Sequence, residues 1–160
     1  MPKLCKGGEK LRAQIDARWP NRDRRSDGWI GDKAHADRIS QHNPDSEGIV
    51  YAIDIDENMG KGPYRNGKTA QRLANELVAY ALSGLPGANR VKYVVYENKL
   101  ASGTYPRYFW QWRKGSWGHT QHIHISFTTA AKRDSTVWPL PILTKNPVKK
   151  RAWAKALKTK

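Results

Sequence analysis

Apolar residues return every four positions at Leu11, Ile15 and Trp19, so Glu9 to Trp19 is predicted as a short amphipathic helix stopped by Pro20. A polar loop over residues 21–32 follows, and Ala34 to Gln41 has room for one or two helical turns before Asn43-Pro44 breaks it. Ile49 to Ile55 is rich in β-branched and aromatic residues and reads as a strand. Period two puts Ala52, Asp54 and Asp56 on one face and Tyr51, Ile53 and Ile55 on the other. Ala70, Leu73, Ala74, Leu77, Val78 and Ala81 follow the helical i, i+3, i+4 spacing, with Gly84, Pro86 and Gly87 ending the segment. Val91 to Tyr96 and Tyr105 to Trp112 read as two strands joined by a loop holding Ser102-Gly103, and His122 to Phe127 alternates like a third. Helix, strand, helix and then strands predict an α+β fold, a small antiparallel sheet flanked by helices, with no internal repeat.

Length and charge narrow the picture. A chain of 160 residues is long enough for one core and short for two, so residues 1–144 are expected to form one domain and residues 145–160 a basic tail or linker. The net charge of +15, from 29 Lys and Arg against 14 Asp and Glu, calls for a polyanionic partner, and nucleic acid and anionic cell wall both qualify. From Lys145 onward seven basic residues occur with no acid. A solvated tail is the plainer reading of that run, and a basic amphipathic helix touching an anionic envelope the sharper one. Cys5 is alone, so no internal disulfide closes the fold, and it is expected to be a thiol near a frayed terminus. The first eleven residues lack the apolar core of a signal peptide and no stretch approaches a membrane span. The expectation is a protein made in the cytoplasm that reaches any external substrate only after release.

The five histidines fall in two places, His35 and His42, then His119, His122 and His124. Residues i and i+2 of a strand share a face, so His122 and His124 can address one metal ion or one water bound to it. A hydrolytic zinc site needs three protein ligands and one open position, and His42, an acid of the Asp54 and Asp56 face, and His124 provide that count. His122 is then left to act as base on a water acidified by the ion, and His119 to stabilise an oxyanion. Asp37 and Asp45 read as turn or cap residues.

These residues resemble the LAS metallopeptidases, the group named for lysostaphin, D-alanyl-D-alanine metallopeptidases and sonic hedgehog. The likeness is closest to the D-alanyl-D-alanine carboxypeptidase-like branch found in actinobacterial and phage cell-wall lysins. Gly28-Trp29-Ile30-Gly31-Asp32, Ala34-His35, Arg38, Ser40, His42-Asn43-Pro44-Asp45, Gly48 and Ala52-Ile53-Asp54 are similar to the first metal motif, and Trp117 to Phe127 (WGHTQHIHISF) to the second. The resemblance covers about residues 9 to 128. It implies zinc held by His42, Asp54 and His124, with Asp54 preferred to Asp56, His122 as the catalytic first histidine of the H-x-H, His119 as an upstream histidine of some members, and Arg38 as the arginine for a substrate carboxylate. Gln121 stands where many relatives place an acid. The activity implied is hydrolysis of a peptidoglycan stem or cross-link peptide by a monomeric phage endolysin, with no specific nucleic acid partner.

Two other readings stand beside it. A hydrophobic residue between two strand histidines is also the core of HUH single-strand endonucleases, which need a helix-borne tyrosine, and Tyr80 is the candidate. A non-catalytic cell-wall-binding virion module would use Tyr105, Trp110, Trp112 and Trp117 as an aromatic groove.

Overall fold

The computed structural model describes residues 1–30, 40–60 and 67–158. The chain is α+β. Five strands, β3 (Ala52–Asp56), β4 (Val91–Tyr96), β5 (Lys99–Ser102), β6 (Arg113–Lys114) and β7 (His122–Phe127), form an antiparallel sheet in the order β3-β7-β4-β5-β6. A two-stranded parallel ladder joins β1 (Lys3–Leu4) to β2 (Ile49–Val50). Three α-helices lie among the described residues: α1 (Lys6–Arg18), α2 (Lys68–Ser83) and α3 (Pro147–Lys158).

Alternation divides the sheet into two chemically distinct faces. Ile53 lies opposite Ile125, Ile55 opposite Ile123, and Val94 opposite both Ile125 and Ala101, so these residues make one continuous apolar face. All six are buried in the core with Leu73, Leu77 and Tyr80 of α2 and Leu11 and Ile15 of α1. The opposite face carries Asp54, Asp56, His122 and His124, and no helix described here covers it with apolar side chains. α2 stops where its pattern predicts, with Gly84 in the left-handed conformation at its end.

Several expectations need correcting. α1 starts at Lys6, three residues before Glu9, and runs through Gly7 and Gly8. A Cβ at Gly7 would lie 2.9 Å from the Ala131 Cβ, and one at Gly8 would lie 3.0 Å from Leu4 and Phe127, so the glycines let the helix approach its neighbours. Cys5 is fully buried, not frayed, because β1 pairs with β2 and the Cys5 amide donates to the Val50 carbonyl; burial pushes its thiol up to about 11. The strand expected over Ile49 to Ile55 is interrupted at Tyr51, where the chain changes partners from β1 to β7. Lys99–Ser102 is a strand where a loop was expected. Tyr105 to Trp112 is not a strand, and Pro106–Tyr108 forms a 3-10 turn there. The cause is a two-residue turn at Glu97 and Asn98, both with positive φ (52° and 58°), which sends β5 straight back along β4.

The segment expected to be a tail or linker is helical over Pro147–Lys158. The Asn146 side chain accepts hydrogen bonds from the Val148 and Lys149 amides, an N-cap followed by proline at the first helical position. Leu157 packs against the core while Lys149, Lys150 and Arg151 are exposed. The helical turns expected over Ala34 to Gln41, together with His35, Asp37 and Arg38, fall largely or wholly outside the described residues.

One polar network ties the first loop to the sheet. Arg22, with 1% of its side chain exposed, donates to Asp16 (2.9 Å) and to both oxygens of Asp27 (2.9 and 2.5 Å), and Asp27 accepts the Asp56 amide (2.7 Å). Gly28 and Asp54 then exchange backbone hydrogen bonds (3.2 and 2.6 Å). Arg22→Ala leaves Asp27 without its buried cation and is expected to destabilise the fold by about 3 kcal/mol. Urea denaturation of the two proteins measures this, and a loss under about 1 kcal/mol would show that the network does not hold the loop.

Candidate metal centre

His42 follows the polar loop, Asp54 sits in the middle of β3, and His124 is its direct cross-strand partner in β7. The His42 Nε2 lies 3.2 Å from the His124 Nδ1 and 3.4 Å from the Asp54 Oδ2, and the His124 Nδ1 lies 3.0 Å from the Asp54 Oδ1. Two atoms bound to one tetrahedral zinc at about 2.0–2.1 Å are separated by about 3.3–3.4 Å, so these three contacts are close to the edges of one coordination tetrahedron. The three residues form a group that could hold a metal ion.

Outer partners set which nitrogen faces the site. The His42 Nδ1 lies 3.2 Å from the Trp29 carbonyl, which can only accept, so this nitrogen carries the hydrogen and Nε2 presents a lone pair. The His124 Nε2 contacts the Ser126 hydroxyl at 2.8 Å, and when it donates there its Nδ1 is bare as well. Two facing lone pairs beside a carboxylate repel unless a cation or a proton lies between them. A metal ion and a proton on the His124 Nδ1 therefore compete for the same place.

Charge and burial favour the ligand forms. Burial opposes ionisation of Asp54, yet the hydrogen bonds and charges of His124 and His42 outweigh it and hold the carboxyl well below the usual carboxylate range. Burial pulls His124 down, against the opposing hydrogen bond and charge of Asp54. Tyr93 stacks on the His124 ring at 5.4 Å and 16° and restricts its rotation.

Two more of the histidines, His119 and His122, form a separate pair. The His119 Nδ1 and the His122 Nε2 are 2.7 Å apart, and the His122 Nε2 is 3.6 Å from the Asp54 Oδ2. These two with Asp54 also come close enough together to hold an ion. The 2.7 Å contact is short for two ligands of one tetrahedral ion and ordinary for a shared hydrogen, so the pair reads as one proton-holding unit beside the first group. His119 has φ +56°, a conformation rare outside glycine; its carbonyl accepts the Glu97 amide and the Gly118 carbonyl accepts the Asn98 amide. The β4–β5 turn thus holds His119 over the sheet.

All five polar groups open into a cleft of about 580 Å³ walled by Tyr93, Val95, Leu100 and Trp117. Asp56, the alternative ligand, is committed elsewhere: its Oδ2 accepts from the Ser26 amide and hydroxyl, and its Oδ1 from the Asn58 amide. Asp45 accepts the Glu47 and Ile49 amides and is a turn residue, as expected. Tyr80 is fully buried and its hydroxyl donates to the Pro86 carbonyl, which leaves it no path to a phosphodiester. Of the four groove aromatics, Trp110 is buried and Trp112 packs against the core, while Tyr105 and Trp117 are exposed. Trp29 and Ser126 were not singled out in the sequence as site residues. Ser126 continues the His122, His124 face at i+2 and was within reach of that argument, whereas the Trp29 carbonyl carried no side-chain signal.

His119 gives the metal-free protein a pH dependence. Burial and the surrounding imidazoles lower it from 6.5 to about 4. Between those values the unfolded chain holds a proton that the folded chain refuses, so His119 should contribute a loss of stability as pH drops from about 6.5 to about 4. In urea titrations with a chelator present, His119→Gln should make that slope shallower; an unaltered slope would contradict this assignment. Compared with known proteins, the chain matches no family model, no curated protein and no solved structure.

Proposed function

We propose that the chain is a zinc-dependent peptidase that hydrolyses a peptide bond of bacterial peptidoglycan, in the manner of the phage endolysins its motifs resemble. The observation that carries this reading is the convergence of His42, Asp54 and His124 at tetrahedral-edge distances, with a second imidazole pair alongside in an open cleft. Two imidazoles and one carboxylate suit zinc, whereas magnesium and calcium prefer shells of oxygen. When bound, zinc supplies a Lewis acid that polarises a peptide carbonyl and makes a water acidic.

The chain's own groups divide the remaining work. His122 takes the proton from the attacking water and returns it to the leaving amine. His119, neutral at ordinary pH because burial lowers it to about 4, passes or holds that proton across the 2.7 Å contact and offers an N–H to the developing oxyanion. Arg38, which lies outside the described residues, has the role the family likeness gives it, pairing with a substrate carboxylate. The bond cut is a D-alanyl bond to the cross-linking diamino acid, an L-Ala to D-Glu bond or a terminal D-Ala. No helix among the described residues is long and apolar enough to cross a membrane. In this reading the chain acts on the wall after release from the cytoplasm, and the basic residues of α3 give it contact with an anionic envelope.

Separate effects on metal and turnover test the division. Asp54→Ala and His124→Ala should lose stoichiometric zinc, while His122→Ala should retain it and lose at least about 100-fold in turnover of purified muropeptides. Elemental analysis with mass spectrometry of the digests reads both. Full activity in the His122 variant would remove that residue from the mechanism.

A further inference from the structure

The strand register carries the site beyond the metal centre. Asp54 lies opposite His124, His124 opposite Val95, Val95 opposite Leu100, and Leu100 opposite Arg113. Directly opposed residues of antiparallel strands share a face, so these five form one row across the whole sheet. Val95 and Leu100 line the cleft that contains His122 and His124, and Arg113 is the next residue of the row, just beyond Leu100.

The Arg113 guanidinium is built into an aromatic cradle. Its carbon sits 4.7 Å from the Tyr108 ring, 5.2 Å from Tyr105 and 5.6 Å from Trp117, the last of which also lines the cleft. Trp117 has little freedom on the side of Gly115, where a Cβ would lie 2.4 Å from its ring. Among the described residues no carboxylate or carbonyl takes a hydrogen bond or an ion pair from Arg113, although the chain uses its arginines in that way at Arg22, Arg25, Arg72 and Arg90. Rings neutralise no charge; they hold the guanidinium and leave its N–H edge available for a bidentate acid.

We infer that Arg113 forms a distal subsite for a carboxylate of the substrate. This rests on the peptidase reading for the identity of the substrate, a stem peptide, whose D-Glu and diamino acid carry such groups. Four strand spacings put Arg113 roughly 19 Å from Asp54 along the sheet, less the reach of its side chain, so the carboxylate recognised is about three to five residues from the bond cut. The row is apolar at Val95 and Leu100 and charged at both ends, which favours an extended peptide with a negative group away from its scissile bond.

The test is calorimetric binding of two synthetic cross-linked stem-peptide dimers, one with free side carboxylates and one with those groups amidated, to the full chain loaded with one equivalent of zinc. Wild type should bind the free acid about tenfold more tightly than the amide. Arg113→Gln should erase that preference by weakening the acid alone, with zinc content unchanged, and Arg113→Lys, which keeps charge but not the planar fork, should retain part of it. Absence of a preference in wild type, its survival in R113Q, or equal weakening of both peptides by R113Q would overturn the subsite. A preference present in wild type and lost in R113Q, with neither peptide cleaved, would uphold the subsite while counting against the peptidase reading.

Discussion

The pairing of β3 with β7 in a single register is the constraint from which the rest follows. With Asp54 facing His124 and Asp56 facing His122, every polar group of these two strands lies on one side, and Ile53, Ile55, Ile123 and Ile125 lie on the other. A slip of one residue would drive two carboxylates and two imidazoles into the core and expose four isoleucines. Burying an unpaired charge costs several kcal/mol, and exposing a buried isoleucine loses about 2 kcal/mol, so the register is specified from both faces. The apolar face, covered by α1 and α2, therefore positions the atoms that could hold a metal ion without touching them.

His42 must be brought to this sheet from outside it. It arrives through a chain of hydrogen bonds that begins at the buried Arg22, passes through Asp27 to the Gly28–Asp54 bridge, and ends at the Trp29 carbonyl that accepts the His42 Nδ1 hydrogen. The site is thus assembled from two kinds of order, strand register for Asp54, His122 and His124 and a buried ionic network for His42. The cost is electrostatic conflict at the centre, where lone pairs of two imidazoles face each other beside a carboxylate; a cation resolves that conflict most completely.

Periodicity made much of this legible. α2, β4 and β7 were readable because their apolar spacing runs without interruption and glycines mark the end of α2, and the strand bearing Asp54 was readable up to its break at Tyr51. The H-x-H spacing placed His122 and His124 on one face, and the motif likeness chose Asp54 over Asp56, a choice consistent with the occupation of Asp56 by Ser26 and Asn58. What stayed hidden depended on neighbours distant in sequence. Gly7 and Gly8 argue against helix by propensity and are tolerated because Ala131 and Phe127 leave no room for side chains. The turn at Glu97 and Asn98 contains no glycine, so the strand after it was assigned to a loop. The basic run from Lys145 onward fitted both a solvated tail and an amphipathic helix, and the helix over Pro147–Lys158 was the less favoured of the two. Arg113 gave no signal at all, since its place at the end of the cross-strand row follows only from four successive strand pairings.

X-ray absorption at the metal edge of the full chain carrying one equivalent of zinc tests the central claim most directly. The account predicts a four-coordinate shell of nitrogen and oxygen at about 2.0–2.1 Å that includes two imidazoles. A six-coordinate shell of oxygens, or zinc bound without any imidazole, would contradict it.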